Sequence, residues 1–230
     1  MESFFREYGG AVLSTTFDKY CYVNVRHVLL SKGIDCAVYA LGRNEEKAKT
    51  RFSKRASDEH LIFIPYDINK PLVRNDLGTI DYVLHMASNT HPMQYSTDPI
   101  GTITTNIIGV QNMLEFAVDH HATRFAFTSS NEIYGENRGD VELFKEDYCG
   151  YINSNTMRAG YPESKRCGEA LCQAYKSQKG LDIVIPRPTR SYGPTMLMTD
   201  TKSIRNPSFI HSTKGETKAS KEIQGYIRNV

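Results

Sequence analysis

The 230-residue chain is long enough for one substantial core and a small appendage. Its 40% hydrophobic and 23% charged residues describe an ordinary globular protein. A formal net charge of +2 is too weak to argue for a nucleic-acid or anionic-membrane partner. The cysteines, Cys21, Cys36, Cys149, Cys167 and Cys172, form no CxxC pair, and their odd count suggests reduced thiols in a cytoplasm rather than a disulfide framework. The start, MESFFREYGG, carries Glu2, Arg6 and Glu7 and no signal-peptide apolar region. No apolar run approaches the ~20 residues that cross a bilayer. A cytoplasmic protein without a membrane or nucleic-acid partner is expected.

Strand candidates in chain order are Ala11–Ser14, Ala37–Leu41, Leu61–Ile64, Tyr82–His85, Phe125–Thr128 and Ile183–Ile185. They are apolar on both faces, as strands covered by helices on each side should be. Helix candidates alternate with them: Val23–Ser31, Asn44–Ser53, Asp98–Asp119 and Tyr161–Lys179. The third is best marked. Asp98 is placed to cap, Pro99 sits at the first turn, and Ile100, Ile103, Ile107, Val110, Leu114 and Ala117 recur at helical spacing. Gly33 and Gly180 each follow a lysine and read as helix stops. The alternation predicts an α/β, Rossmann-like doubly wound parallel sheet, with ligands bound beyond the carboxyl ends of the strands. From about Met196 the pattern fades into a polar stretch.

The strongest chemical signal is Tyr161-Pro-Glu-Ser-Lys165, whose four-residue spacing puts phenol and ammonium on one helical face. A free tyrosine, with a pKa near ~10, is a poor base at neutral pH, and a neighbouring ammonium favours its anion. Alone, YxxxK is weak, because an exposed pair at this spacing is usually just surface. Upstream, the strand ending Phe-Thr-Ser-Ser-Asn-Glu-Ile-Tyr-Gly (127–135) delivers Ser130 at its carboxyl end, where a hydroxyl can bond the substrate oxygen that Tyr161 protonates or deprotonates. Ser129 reads instead as a capping or turn serine.

Asp-Tyr-Val-Leu-His-Met-Ala-Ser (81–88), Asn106 in TNIIGVQNMLE, the Ser130 strand, Tyr161/Lys165 and Arg-Pro-Thr-Arg-Ser-Tyr-Gly-Pro (187–194) follow one another in the order of a known family. Together, over roughly residues 35–195, they resemble the NAD-dependent epimerase/dehydratase branch of the extended short-chain dehydrogenases. The resemblance implies NAD as cofactor and a nucleotide sugar as substrate, oxidised transiently to a ketone before epimerisation, dehydration or decarboxylation. It implies Tyr161 as acid–base residue, Lys165 as its tuner and ribose ligand, and Ser130 and Glu132 as further catalytic groups. Arg43, Asp67, Ile68, Ala87 and Pro188 take the cofactor positions, and Ser88, Arg158 and Arg190 the substrate positions. Asp67 as a turn residue and Ala87 as packing are the plain alternatives. Relatives commonly dimerise through the Tyr161 helix, where Ala170, Leu171 and Ala174 either serve that contact or face the sheet.

Residues 130–132 help choose the reaction. Dehydratases resemble Thr-Asp-Glu there, and UDP-glucuronate decarboxylases resemble Thr-Ser-Glu followed by an arginine shortly before the tyrosine. Ser130-Asn131-Glu132 lacks the aspartate that would donate a proton, and Arg158 precedes Tyr161. Decarboxylase-like chemistry is favoured, with epimerase or dehydratase as the alternative and a solvated Arg158 as the plain reading of that side chain.

The chain also departs from the family. Thr16, Lys19 and Tyr22 stand where a glycine-rich turn would admit the pyrophosphate, and no glycine lies between Gly10 and Gly33. Gly42-Arg43 replaces the acidic ribose ligand, which would suit NADP's 2′-phosphate. The sequence ends soon after Gly193-Pro194, so a Rossmann domain over 1–186 and a truncated substrate-binding segment over 187–230 are expected. A catalytically silent binding protein is therefore the competing reading. His85, His91 and the His120-His121 pair, expected to end an exposed helix, have no ligand set for a metal, and none is predicted.

Overall fold

Short β-branched and aromatic runs set the strands of the computed structural model: β1 (Ala11–Ser14), β2 (Ala37–Gly42), β3 (Leu61–Pro65), β4 (Tyr82–His85), β5 (Arg124–Phe127) and β6 (Ile183–Val184). The described residues are 11–14, 31–53, 56–89 and 97–189, with backbone alone for 11–14 and for Arg51. The expectations for Thr16, Lys19, Tyr22, Cys21, His91, Arg190, the 23–31 helix up to Ser31, and the polar stretch after Met196 lie outside them.

All strand pairs are parallel, in the order β3-β2-β1-β4-β5-β6. This is the doubly wound order with its switch point between β1 and β4. β2 and β3 each run one residue beyond the expected end, and β6 stops one short. β5 begins one residue early because Arg124 pairs opposite Tyr82 while its Nε donates to Asp182 Oδ2 at 2.5 Å. A charged residue can thus open a strand when its head has a carboxylate at the sheet's edge.

Three helices are described: α1 (Glu45–Arg51), α2 (Pro99–Asp119) and α3 (Gly160–Lys179). Asn44 Oδ1 accepts the Lys47 N–H at 2.8 Å and Asp98 Oδ1 accepts the Gly101 N–H at 2.9 Å, so both short polar residues occupy the capping positions. α3 stops at Gly180, whose φ of +71° is left-handed and whose N–H donates to Lys176 O. Its start follows directly from a 3-10 turn, Met157–Ala159.

The core joins α2, α3 and the middle strands through Val83, Val110, Met113, Leu114, Phe116, Phe125, Phe127 and Cys172. Each buried phenylalanine contributes roughly 1.5–3 kcal/mol of transfer free energy. Gly168 lets α3 approach β5: a Cβ there would stand 2.7 Å from Phe127 Cζ. The apolar repeat of α2 divides, however. Val110, Leu114 and Ala117 are fully buried, but Ile100 is 76% exposed and Ile103 36%. In α3, Leu171 packs on the core while Ala170 and Ala174 are exposed.

His120 corrects the expectation of an exposed helix end. It is buried, its Nδ1 lies 2.5 Å from Gly78 O, and its ring packs 4.0 Å from the Phe116 ring centroid. Among the described residues no helix is long and apolar enough to cross a membrane.

Candidate active site

β5 ends at Phe127 and the chain continues through Thr128, Ser129 and Ser130, beside the switch point where β4 ends at His85. Three backbone bonds fix this path: Thr128 N–H to His85 O, Ser129 N–H to Pro186 O and Asn131 N–H to Pro188 O, at 3.0, 2.9 and 3.2 Å. Ser130 is extended and only 7% exposed. Its Oγ accepts the Glu132 N–H at 3.2 Å, starting a 3-10 turn over Asn131–Tyr134. The capping role expected of Ser129 therefore falls on Ser130. The Ser129 hydroxyl is buried without a hydrogen-bond partner among the described residues.

Tyr161 and Lys165, one turn apart on α3, are 5% and 2% exposed. Lys165 Nζ donates to Thr128 O at 2.8 Å and lies 4.8 Å from the Phe127 ring centroid and 5.9 Å from that of Tyr161. That hydrogen bond pins α3 to the loop carrying Ser130, so the three residues named from the sequence occupy one region. Burial lowers the Lys165 pKa to about 7, against a partial upward pull from Cys172 and Glu169. A buried amine has few ways to solvate a charge, so Lys165 exchanges its proton near neutrality instead of acting as a fixed cation. His85, fully buried between the flanking rings of Phe125 and Phe127, is held neutral mainly by burial and then by Lys165, its pKa lowered to about 3.

Glu132 and Arg158 meet. Arg158 Nη2 is 2.9 Å from Glu132 Oε2, linking the turn after Ser130 to the turn before Tyr161. Their side chains are 59% and 23% exposed for Arg158 and Glu132 respectively, so solutes can reach the guanidinium.

Behind the reactive face runs a polar line whose link, Ser164, the sequence motifs did not single out. Ser88 Oγ donates to Asn106 Oδ1 at 2.7 Å, Asn106 Nδ2 donates to Ser164 Oγ at 2.9 Å, and Ser164 Oγ donates to Tyr161 O at 2.9 Å. Ser88 thus gives its proton to a buried asparagine, leaving only lone pairs for a substrate. Ser164 stands among the intervening residues of YxxxK. The available signal was a serine three residues after Tyr161, placed to bond back to a helix carbonyl. Arg166 and Arg187 were likewise missed. Arg166 donates to Ile133 O and Gly150 O, while Arg187 forks onto Glu169 at 2.9 and 2.6 Å and reaches Tyr134 Oη and Glu146 O. They tie the excursion over 135–151 to α3 and to the strand end beyond β6. Gly135 must be glycine there: its φ is +71° and a Cβ would lie 2.6 Å from Tyr151 O.

The other cofactor positions sit differently. Asp67 Oδ1 accepts the Asn69 N–H at 3.1 Å, which makes Asp67 a turn-former whatever else it binds. Ile68 packs under Gly109, and its carbonyl accepts from Asn112 Nδ2 at 2.8 Å. Arg43 is exposed just past β2, Ala87 lies two residues past β4, and Pro188 is exposed beside the Asn131 turn. A cavity of about 700 Å³ lies at the starts of α2 and α3, lined by residues including Ile103, Ile107, Met157 and Glu163; it does not include Ser130, Tyr161 or Lys165. Among the described residues no cluster of three His, Cys, Asp or Glu side chains is gathered as for a metal.

The reactive end fits a bound nicotinamide ribose. An ammonium has three donors and Lys165 spends one on Thr128 O, while the Ser129 hydroxyl is buried and unpartnered among the described residues on the same strand end.

The comparisons agree with this architecture. A sequence profile described as the NAD dependent epimerase/dehydratase family matches residues 24–223, wider than the 35–195 read from motifs. UDP-glucuronic acid decarboxylase 1 of Xenopus tropicalis is 34% identical over 148 residues, covering 64% of this chain and 34% of its own. UDP-glucuronic acid decarboxylase 5 of Arabidopsis thaliana is 31% identical over 203 residues, covering 82% and 57%. The chain thus spans about a third to just over a half of the length of these curated relatives. Among solved structures, the fold is shared with a dTDP-glucose 4,6-dehydratase from Streptomyces venezuelae with NAD and TYD bound (TM-score 0.68, 23% identity, 82% of this chain and 58% of that one). It is shared also with a UDP-glucuronic acid 4-epimerase from Bacillus cereus in complex with UDP-glucuronic acid and NAD (TM-score 0.67, 22% identity, 82% and 59%). With the profile covering most of its length and the doubly wound sheet beneath it, this chain belongs to the NAD dependent epimerase/dehydratase family.

Proposed function

We propose that this chain is an NAD-linked nucleotide-sugar enzyme working through a transient keto-sugar, with UDP-glucuronate decarboxylation as its reaction. The observation that carries the reading is the buried Lys165, fastened to Thr128 O next to Ser130 and one turn from Tyr161. Bound NAD would supply the hydride acceptor and later the donor. The protein's own groups do the proton chemistry. Tyr161 takes the proton of the sugar hydroxyl as the ketone forms, Lys165 tunes and relays that proton, and the Ser130 hydroxyl bonds the reacting oxygen. Exclusion of water by the buried strand end strengthens each of these interactions.

The decarboxylase choice over epimerase or dehydratase is supported by Asn131, which has no acidic proton, by Glu132 and Arg158 beside Ser130, and by the decarboxylase relatives. NAD is the proposed cofactor, with Asp67, Ile68 and Ala87 toward its adenosine half and Pro188 toward its nicotinamide; Arg43 makes NADP the alternative. Residues 1–186 carry the cofactor, and 187–230, including Arg190, contribute to substrate binding. A homodimer through α2 and α3 accounts for exposed Ile100 and Ile103. A reducing cytoplasm suits the free thiols of Cys36, Cys149, Cys167 and Cys172.

The test is turnover of UDP-glucuronate with NAD. Tyr161→Phe should lower kcat by ~10²–10⁴ without lowering Tm. Full turnover in that variant removes the mechanism. Calorimetry showing neither NAD nor NADP binding at millimolar concentration would favour the silent binding protein instead.

A further inference from the structure

The chain beyond β6 is bonded to the Ser130 loop from one side only. The Ser129 N–H donates to Pro186 O at 2.9 Å and the Asn131 N–H to Pro188 O at 3.2 Å, so Ser130 lies between the two donors. Neither proline has an N–H with which to return a bond. Arg187, between the prolines, attaches this segment through its side chain instead. We propose that Arg187 is a positioning residue: by forking onto Glu169 it clamps the segment flanking Ser130 to α3 and keeps the Glu169 carboxylate from pairing with Lys165. The inference rests on the proposed nucleotide-sugar function and deepens it by assigning the pair that leaves Lys165 directed at the Ser130 loop.

Lys165 and Glu169 are four residues apart on α3, a spacing at which ammonium and carboxylate ordinarily meet. Here they do not. Lys165 Nζ donates to Thr128 O at 2.8 Å, while the two Glu169 oxygens accept from Arg187 Nε and Nη2 at 2.9 and 2.6 Å. A planar fork outcompetes a single ammonium for a carboxylate. The guanidinium is itself fixed, because Nη1 donates to Tyr134 Oη and Glu146 O and the group lies 5.1 Å from the Tyr134 ring centroid.

The groups packed around Lys165 are His85 from β4, the Phe127 ring and Thr128 O from β5 and its loop, and Tyr161, Glu169 and Cys172 from α3. Burial keeps His85 and Cys172 neutral near pH 7, lowering the first pKa to about 3 and raising the second to about 12. With Tyr161 protonated, Glu169 is the anion whose placement decides the charge on Lys165. Its side chain is only 13% exposed, so a carboxylate released by Arg187 has little water to turn to and draws a proton onto Lys165.

The experiment is an NMR pH titration of the full chain with carbon-labelled lysine, following the ε-methylene resonance that disappears in Lys165→Met. Arg187→Met should raise the Lys165 midpoint by about 1 pH unit, a tenfold gain in proton affinity, and Glu169→Gln should lower it by ~0.5 unit. Looser packing alone would admit water in both variants and move both midpoints upward. Glu169→Gln keeps the shape and one acceptor oxygen, so its sign decides even if Arg187→Met does not fold. With UDP-glucuronate and NAD, Arg187→Met should lower kcat ~10-fold with KM within about 2-fold. Midpoints that move together, an unmoved Glu169→Gln, or an unchanged kcat overturns the clamp and leaves the nucleotide-sugar function standing. Midpoints that separate in a chain whose wild type never turns over UDP-glucuronate remove that function and leave the Arg187 clamp on Lys165.

Discussion

The carboxyl ends of β4 and β5 and those of β2 and β3 share one backbone plan and differ in how their side chains are held. At the first, the side chains of Ser88, Ser130 and Lys165 are hydrogen-bonded to Asn106, the Glu132 amide and Thr128 O, and the Tyr161 carbonyl accepts from Ser164. At the second, Arg43 points into solvent, and Asp67 and Ile68 serve a turn and a helix contact. Residues that must present a proton at a fixed place need a rigid shell. Residues that cradle the far end of an elongated ligand need only a correctly placed loop. The contrast predicts that damage to the first region is felt in folding as well as turnover, and damage at exposed Arg43 in the second only in cofactor choice.

Asn106→Ala attacks the better-held region at its centre. It removes both amide bonds, leaves Ser88 with an unmatched donor and takes the acceptor hydroxyl of Ser164 off its donor. A loss of about 2–3 kcal/mol in urea unfolding is expected, together with weaker turnover because Ser164, which donates to the Tyr161 carbonyl, is no longer held by Asn106. An unchanged denaturation midpoint would show that the line from Ser88 to Tyr161 is incidental to the rigidity claimed for it.

The same contrast explains what was legible in the sequence. Strand cores and the caps at Asn44 and Asp98 were readable because local rules fix them: apolar runs pair, and short polar side chains cap. Tyr161, Lys165 and Ser130 were readable because their spacing is itself a chemical requirement. What escaped depends on contacts far apart in the chain. Ser164 matters only because α2 brings Asn106 to it, 58 residues away in sequence. Glu132 and Arg158 are each legible as site residues, but nothing local in the sequence says that they meet. The periodicity of α2 marked Ile100 as apolar without saying whether the sheet reaches that far, and Ile100 is exposed. His120 looked like an exposed helix end because sequence shows no hint that Gly78 O and Phe116 close over it.

Lys165 offers a gentler probe through pH. Its folded pKa is near 7, whereas an unfolded lysine titrates near 10.4. Between those values the unfolded chain holds a proton that the folded chain has released. Lys165 therefore contributes a stability gain as pH rises from 7 toward 10, with a slope of at most ~1.4 kcal/mol per pH unit, and none below the folded pKa. Other groups titrate in the same window, so the informative quantity is the difference between wild type and Lys165→Met. The rise should flatten in the variant. Parallel stability curves would mean that Lys165 keeps its proton through neutrality, and the relay role would pass to Tyr161 alone.

The smallest effect belongs to Arg43. It is exposed and follows the last residue of β2. Arg43→Ala should leave stability within about 0.5 kcal/mol. Its consequence should appear only in the ratio of NADP to NAD affinity, because a guanidinium at the second strand's end can meet a 2′-phosphate and has nothing comparable to offer a free ribose. A fall in that ratio would assign the adenosine end of the cofactor to this edge of the sheet. An unaltered ratio with both cofactors still bound would move the 2′-position away from Arg43, and with it the reason for considering NADP at all.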